Sequence, residues 1–527
     1  MGLKLLLLSL LLCFSALTPS ANGNDEEHVT VTVKGVLSVG STDENFICAT
    51  MDWWPPNKCD YNQCPWGLAS VLNLDLSNPV LPKALKAFGD LRIRVGGSLQ
   101  DQVTYKVGSV KSCPGFKKKK DGMFGFSTGC LHMDRWDQVY DLFNKSSVKV
   151  TFGLNALVGR EKVNNESNAL WGGAWDPSNA RDFIDYTISK GQVIDSWELG
   201  NELCGEGVSA RVEGKQYGQD MIVLRSLIDQ LYANSTKLPK VLAPGGFWDE
   251  KWFDEFLQVA GPNVVDGITH HFYNLGSGAD PNLLSKMQDP YVLDNVLETL
   301  NQVKLTLRSY APWTDAWVGE AGGAYNSGGK NVSHSFVNSF WYLDQLGQAS
   351  SFDHKVYCRQ SLIGGNYGLL NTTTMVPNPD YYSALLWHRL MGTRVLSTVH
   401  GGSPNLRTYT HCSKNETGIT MLFINLSNST TFKVNINEDL NIYPATVGFQ
   451  IAGTEQREEY HLTAKDGDIQ SHTMELNGVP LELTDSGEIP PLNPIYVGAS
   501  SPINIDPSTI AFIRVMDFRA PACESAQ

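Results

Sequence analysis

From about residue 43 to 390 the chain repeats one unit: a short β-rich apolar run with little polar alternation, a loop, then a stretch with helical spacing. The runs are Phe46–Asp52, Leu91–Gly97, Val148–Asn155, Asp195–Glu202, Val241–Gly246, Val265–Tyr273, Ala316–Gly322 and Tyr357–Gly365. Strands without alternation are buried on both faces, as in a parallel sheet. Between them, Trp252-Phe253-x-x-Phe256-Leu257 and Leu293-x-x-Val296-Leu297-x-x-Leu300 follow the helical period. Eight such units over roughly 350 residues predict a (β/α)8 barrel of the α/β class. The rival, a doubly wound open sheet, lacks support because no G-x-G-x-x-G loop opens any unit.

Past Gly392 the texture changes. Val395–Thr398, Leu406–Cys412, Ile419–Ser427, Phe432–Ile436, Glu459–Thr463, His472–Leu476 and Ile510–Met516 are short β-rich runs separated by Gly, Asn, Asp and Pro. They predict an antiparallel β-sandwich. His28–Gly35 alternates Val and Thr ahead of the barrel and is expected to join that sandwich. The expected organisation is a leader at 1–23, an N-terminal sandwich strand at 24–40, the barrel at 41–391 and the sandwich at 392–527.

The leader reads as Lys4, an apolar run from Leu5 to Leu17, and small residues after it. The run is too short to span a bilayer, so a cleaved secretory signal is expected, with no transmembrane span. The expected location is outside the cell, in the cell wall, or in a lysosomal or vacuolar lumen, with peripheral membrane association left open. N-x-S/T sequons at Asn144, Asn165, Asn234, Asn331, Asn371, Asn415, Asn425 and Asn428 fit passage through the secretory pathway as glycosylation sites. Nine cysteines follow the leader: Cys48, Cys59, Cys64, Cys113, Cys130, Cys204, Cys358, Cys412 and Cys523. An odd set leaves at least one thiol free or paired between chains. Cys59 with Cys64 and Cys113 with Cys130 could close local disulfides, and Cys412 with Cys523 could staple the sandwich. No C-x-x-C or H-x-x-x-H pattern supports zinc, and no metal or cofactor is expected.

A net charge of −14 argues against nucleic acid or anionic membrane as the main partner. The basic run Lys117 to Lys120 lies in a Gly-rich loop and reads as a solvated tip rather than a polyanion site.

In a barrel of this class the chemistry sits where the strands end. The fourth run ends Trp197-Glu198-Leu199-Gly200-Asn201-Glu202, and the seventh Trp317-Val318-Gly319-Glu320-Ala321-Gly322. Buried carboxylates are costly unless paired or used. Two at the ends of different strands suit glycosidic cleavage, where one carboxyl protonates the leaving oxygen and another attacks or activates water. Glu198 shares a face with Glu202 by strand period, so the residues alone leave both as candidates for the acid. His271 and Tyr273 also share a face, either lining a subsite or satisfying core polar groups.

Ala49-Thr-Met-Asp52-Trp-Trp, Leu91-Arg-Ile-Arg-Val-Gly-Gly-Ser98, Trp197-Glu-Leu-Gly-Asn-Glu202, His270-His-Phe-Tyr273-Asn, Gly319-Glu320-Ala-Gly-Gly-Ala-Tyr325 and Gly364-Gly-Asn-Tyr367-Gly form an ordered set through the barrel. In these stretches the chain resembles glycoside hydrolase family 79, the heparanase and β-glucuronidase family, and most closely its plant heparanase-like members. The resemblance implies a retaining mechanism with Glu202 as acid/base and Glu320 as nucleophile. It implies that Asn201 donates to the sugar 2-hydroxyl and that His271, Tyr273, Asp52 and Ser98 line the sugar site. It further implies that Gly365 and Tyr367 help hold a glucuronate carboxylate. Two glycines that family members use soon after the nucleophile are replaced here by Asn326 and Ser327. Trp54 stands where the animal enzyme has a small polar residue and could stack on a sugar or an aromatic aglycone. Animal members are activated by excision of a long linker; the matching stretch, about Val103 to Cys130, is short, so activity without processing is expected.

The net negative charge disfavours long sulfated chains. The expected substrates are therefore β-linked glucuronic acid or its 4-O-methyl ether, on arabinogalactan side chains or phenolic and flavone glucuronides. The alternatives are an endo-β-glucuronidase acting on heparan-like chains, a different glycoside specificity such as arabinofuranoside or glucoside, and an inactive glycan-binding homologue.

Overall fold

The computed structural model describes residues 25–163, 170–440, 449–450, 456–498 and 500–524. The leader and the Asn165 sequon lie outside the described residues.

A first long strand, β1 (Asp25–Ser41), precedes eight barrel strands. These are β2 (Ile47–Met51), β3 (Arg92–Val95), β4 (Lys149–Leu154), β5 (Ser196–Leu199), β6 (Lys240–Phe247), β7 (Gly267–Phe272), β8 (Asp315–Ala321) and β9 (His354–Arg359). They pair in chain order, all parallel, and close with β9 against β2. Helices cross between them as α1 (Val80–Lys86), α2 (Met133–Lys145), α3 (Ser178–Ser189), α4 (Gly214–Leu231), α5 (Glu250–Ala260), α6 (Leu297–Tyr310), α7 (Asn338–Ser351) and α8 (Pro379–Leu390). The closing pair is also covalent: Cys358 stands opposite Cys48 in register, and the two form a disulfide.

Helix α5 shows how sequence sets these elements. Asp249 caps it by accepting from the Trp252 N–H, and Gly261 ends it at φ 72°. Trp252, Phe253, Phe256 and Leu257 fall on one stripe and are buried. Asp249→Ala would forfeit about 1 kcal/mol of that cap.

After the barrel come β10 (Met391–His400), β11 (Leu406–Ser413), β12 (Ile419–Asn425), β13 (Thr430–Asp439), β14 (Gln456–Ala464) and β15 (Ile510–Val515), with shorter strands at the margins. Period-2 alternation gives this sheet two jobs. Leu422, Ile424, Ile510 and Phe512 face the barrel, while Met421, Phe423, Ala511 and Ile513 enter a separate core with Val29, Val31 and Val33 of β1. The pairing is not purely antiparallel, because β1 runs antiparallel to β10 but parallel to β13. Cys412–Cys523 closes this domain, Cys59–Cys64 and Cys113–Cys130 close local loops, and Cys204 is left as a buried free thiol.

Two sequence readings need correction. The fourth strand stops at Leu199 rather than running to Glu202, because Gly200 (φ 76°) and Glu202 (φ 55°) both turn left-handed. The strand period is broken there, so Glu198 and Glu202 do not share a face. The sequon at Asn425 is also unsuitable: its side chain is fully buried, and its amide donates to the carbonyls of Thr430, Ile505 and Asp506. A glycan on that nitrogen would displace all three bonds. Asn144, Asn234, Asn331, Asn415 and Asn428 are exposed, and Asn371 is half-buried. Among the described residues no helix is long and apolar enough to cross a membrane.

Candidate active site

The carboxyl ends of the barrel strands surround a cavity of about 350 Å³, with Glu202, Tyr273, Glu320 and Tyr367 on its wall. The floor is organised by one residue absent from the candidates above, Arg94 on β3. Its Nε donates to Glu198 Oε2 at 2.7 Å, Nη1 to Glu320 Oε2 at 2.9 Å and Nη2 to Asn201 Oδ1 at 2.9 Å. A buried guanidinium is stable only when its donors are met by acceptors and countercharge. Two carboxylates keep it charged despite burial. The sequence carried a signal: Arg92 and Arg94 recur at period 2 within a strand that is otherwise apolar and wholly buried. Arg92 pairs with Asp195 one layer lower.

Glu198 is thereby separated from Glu202. It is fully buried, is held by Arg94, and contributes nothing to the cavity wall. Glu202 is lifted over the cavity by the Gly200–Asn201–Glu202 turn, which is pinned where the Glu202 N–H donates to Gly245 O at 2.7 Å. A non-glycine residue at φ 55° is strained, and such strain is tolerated where a side chain must be aimed. Burial pushes the Glu202 carboxyl up to about 7, with Arg94 pulling the other way. Glu202 Oε1 lies 3.2 Å from His271 Nδ1. Burial lowers His271 to about 4, so the imidazole is neutral near pH 7.

Glu320, at the end of β8, sits in the opposite environment. Both oxygens accept hydrogen bonds: Oε2 from Arg94, and Oε1 from the Tyr273 hydroxyl at 2.5 Å. Burial and the neighbouring carboxylate keep Tyr273 a phenol, hence a donor. These contacts fix the aim of both carboxylate oxygens. Glu202, His271 and Glu320 offer oxygen and nitrogen atoms that all lie within 4.8 Å of one another. Although such a trio could ligate a cation, the Glu320 lone pairs it would need already face Arg94 and Tyr273.

Asn201 Oδ1 takes the Arg94 bond, while its buried Nδ2 has no partner and remains a donor available to a ligand. Its backbone N–H is held by Asp101 Oδ2 at 2.8 Å, another contact that short-range spacing could not reveal. Ser98 lines the cavity. Asp52 lies one shell back, accepting from Gln360 Nε2 at 2.6 Å, and it is Gln360 that reaches the cavity. Burial and the nearby Glu320 raise the Asp52 carboxyl well above the usual range. Gly365 does not line the cavity. At φ 70° a Cβ there would meet the Tyr367 ring at 2.5 Å, so its smallness seats the tyrosine. Asn326 (φ 56°) and Ser327 (φ 71°) keep the left-handed path that glycine favours, so the loop retains a glycine-like course with side chains added.

Those side chains hold the rim together. Ser327 Oγ donates to Asp60 Oδ2 at 2.5 Å and accepts from Trp66 Nε1 at 2.9 Å. Asn326 Nδ2 donates to the Tyr61 hydroxyl, which also bonds Ser277. Trp54 is packed edge-on against Phe124 and Phe126 of the Cys113–Cys130 loop, which gives that loop a wall of the cavity. Lys117 to Lys120 lie exposed on the same loop.

The heparanase-like protein 2 of Arabidopsis thaliana is 52% identical to this chain, over 97% of it and 98% of the relative. The baicalin-β-D-glucuronidase of Scutellaria baicalensis is 39% identical over 90% of each. In fold, the chain is similar to the GH51 arabinofuranosidase of Xanthomonas axonopodis pv. citri, with a TM-score of 0.66 at 14% identity, covering 92% of this chain and 99% of that one. The N-terminal domain of glycosyl hydrolase family 79 matches residues 28–347, which take in the barrel from its first strand through Glu202, Arg94 and Glu320, and the chain belongs to that glycoside hydrolase family.

Proposed function

We propose that the chain is a retaining β-glucuronidase that removes terminal glucuronic acid, or its 4-O-methyl ether, from arabinogalactan side chains or phenolic glucuronides. The observation that carries the reading is the contrast between two carboxyls within 4.8 Å. One is pushed up by burial so that it holds a proton near neutrality. The other is held in place by two donors, a guanidinium and a phenol. Separations of about 5–5.5 Å leave no room for a water between the second carboxylate and the anomeric carbon and mark double displacement, whereas inversion needs about 6.5–9.5 Å.

In this reading Glu202 protonates the leaving oxygen as Glu320 Oε1 or Oε2 attacks the anomeric carbon and forms a glycosyl ester. Glu202, now ionised, then takes a proton from the water that cleaves the ester. The Nδ2 of Asn201 donates to the 2-hydroxyl, where a hydrogen bond strengthens as the ring becomes oxocarbenium-like. The relative named for baicalin supports a glucuronide substrate. The small cavity and the net charge of −14 favour terminal or small glucuronides over long sulfated chains. The loop at 103–130 is short and structured, which favours activity without excision. Four disulfides and the exposed sequons favour a secreted or lumenal setting.

The test is a panel of 4-nitrophenyl glycosides with the wild type and Glu320→Gln. The expected result is turnover of the β-D-glucuronide above the β-D-glucoside and α-L-arabinofuranoside, and a loss of roughly 10⁴-fold or more in kcat for the variant. Normal turnover by Glu320→Gln would overturn the nucleophile assignment, and preference for a neutral glycoside would overturn the substrate.

A further inference from the structure

The wall of the cavity carries one cationic side chain among the described residues, Lys58, and nothing in the mechanism above uses it. Lys58 immediately precedes the small loop closed by Cys59–Cys64, a bridge between cysteines five residues apart. The loop is fixed at both ends of its contact with the rim. Asp60 accepts from Ser327 Oγ at 2.5 Å, and the Tyr61 hydroxyl accepts from Asn326 Nδ2 at 3.1 Å. The loop after the first barrel strand is thus tied to the loop after the nucleophile strand.

Lys58 is aimed rather than free. Its Nζ donates to Asp60 Oδ1 at 2.7 Å and stands 4.6 Å from the centre of the Trp54 ring, with only 17% of the side chain exposed. One of the three ammonium N–H groups is used by Asp60, so the others can donate to a ligand. The holding chain runs Lys58–Asp60–Ser327–Trp66, and the Trp66 ring meets the Tyr367 ring edge-on at 6.2 Å. The ammonium therefore belongs to the same wall as Tyr367 and the Asn326–Ser327 backbone. The guanidinium of Arg94 is already committed to Glu198, Glu320 and Asn201. An anionic sugar entering beside Glu320 and Asp60 meets negative charge, and Lys58 is the group placed to offset it.

We infer that Lys58 is a specificity-determining residue whose ammonium meets the carboxylate of a uronic acid bound in this cavity. The inference rests on the glucuronidase reading and adds to it the side chain that separates a uronate from its neutral counterpart. The charge-assisted bond is pre-organised because Asp60 already holds the ammonium, so little side-chain freedom is lost on binding.

The experiment compares kcat/KM for 4-nitrophenyl β-D-glucuronide with that for its methyl ester, in the wild type, Lys58→Gln and Lys58→Arg. Dividing one substrate by the other cancels any loss of folded enzyme. The expected result is a wild-type preference for the acid, a fall of about 10- to 100-fold in that preference for Lys58→Gln, and partial rescue by Lys58→Arg. If the wild type prefers the acid and Lys58→Gln keeps the preference, or if both substrates suffer equally, the role of Lys58 is overturned while the glucuronidase reading stands. A wild type without the preference overturns both.

Discussion

The floor and the rim of this cavity are built by different physical means. The floor consists of side chains at the ends of barrel strands, gathered by one guanidinium: Arg94 touches Glu198, Glu320 and Asn201 in a single plane of donors. The rim consists of loops held by a small disulfide ring, a serine–aspartate bond and an aromatic cluster around Trp54. Buried charge on rigid strands tolerates almost no change, because each member leaves another unpaired when it is removed. Loops at a surface tolerate substitution and are where specificity varies on a shared barrel. The difference separates what the enzyme does from what it does it to.

Perturbing the floor should cost most. Arg94→Met leaves Glu198 buried without its partner and removes a donor from Glu320, so stability should fall by about 3–5 kcal/mol. kcat/KM should fall about 10³-fold, as expected when a transition-state donor is lost. Chemical denaturation and steady-state kinetics check the two effects, and a fully active, fully stable variant would break the distinction between floor and rim.

Glu202→Gln should lose on the order of 10²-fold on glucuronides with poor leaving groups, which need the proton. In the wild type the carboxyl, raised by burial to about 7, must be protonated for cleavage, so kcat/KM should hold below that pH and fall as pH rises through it. The variant should lose that alkaline limb. A limb that persists unchanged would assign it to another group.

The rim should respond least. Ser327→Ala removes the Oγ that bridges Asp60 and Trp66, while the backbone keeps its path. A rise in KM of a few fold with kcat nearly unchanged is expected for the loss of these two hydrogen bonds at the rim. A drop in kcat comparable to that of Arg94→Met would erase the contrast.

The same contrast explains what could be read in the sequence. Eight apolar runs located the eight barrel strands because strands buried on both faces cannot alternate, and Glu202 and Glu320 stood out as carboxylates at the ends of two such runs. The rivalry between Glu198 and Glu202 could not be resolved from strand period, because Gly200 and Glu202 leave the strand through left-handed turns that period does not register. Arg94 lies within the Leu91–Ser98 stretch, yet its three partners lie about 100 to 230 residues away in the chain, beyond any local pattern. Asp101 and Gln360 escape notice for the same reason, since each acts through a long-range contact, and the place of Lys58 on the wall depends on the distant Ser327 that holds its partner Asp60. Asn425 satisfies its sequon but spends its amide on three carbonyls, a fate that burial decides and a tripeptide cannot show.

The central claim is double displacement by Glu202 and Glu320. Proton NMR of aryl β-D-glucuronide hydrolysis tests it most directly by following which anomer of glucuronic acid appears first. The account predicts the β-anomer as the initial product, with the α-anomer growing only through later mutarotation; initial release of the α-anomer would contradict it.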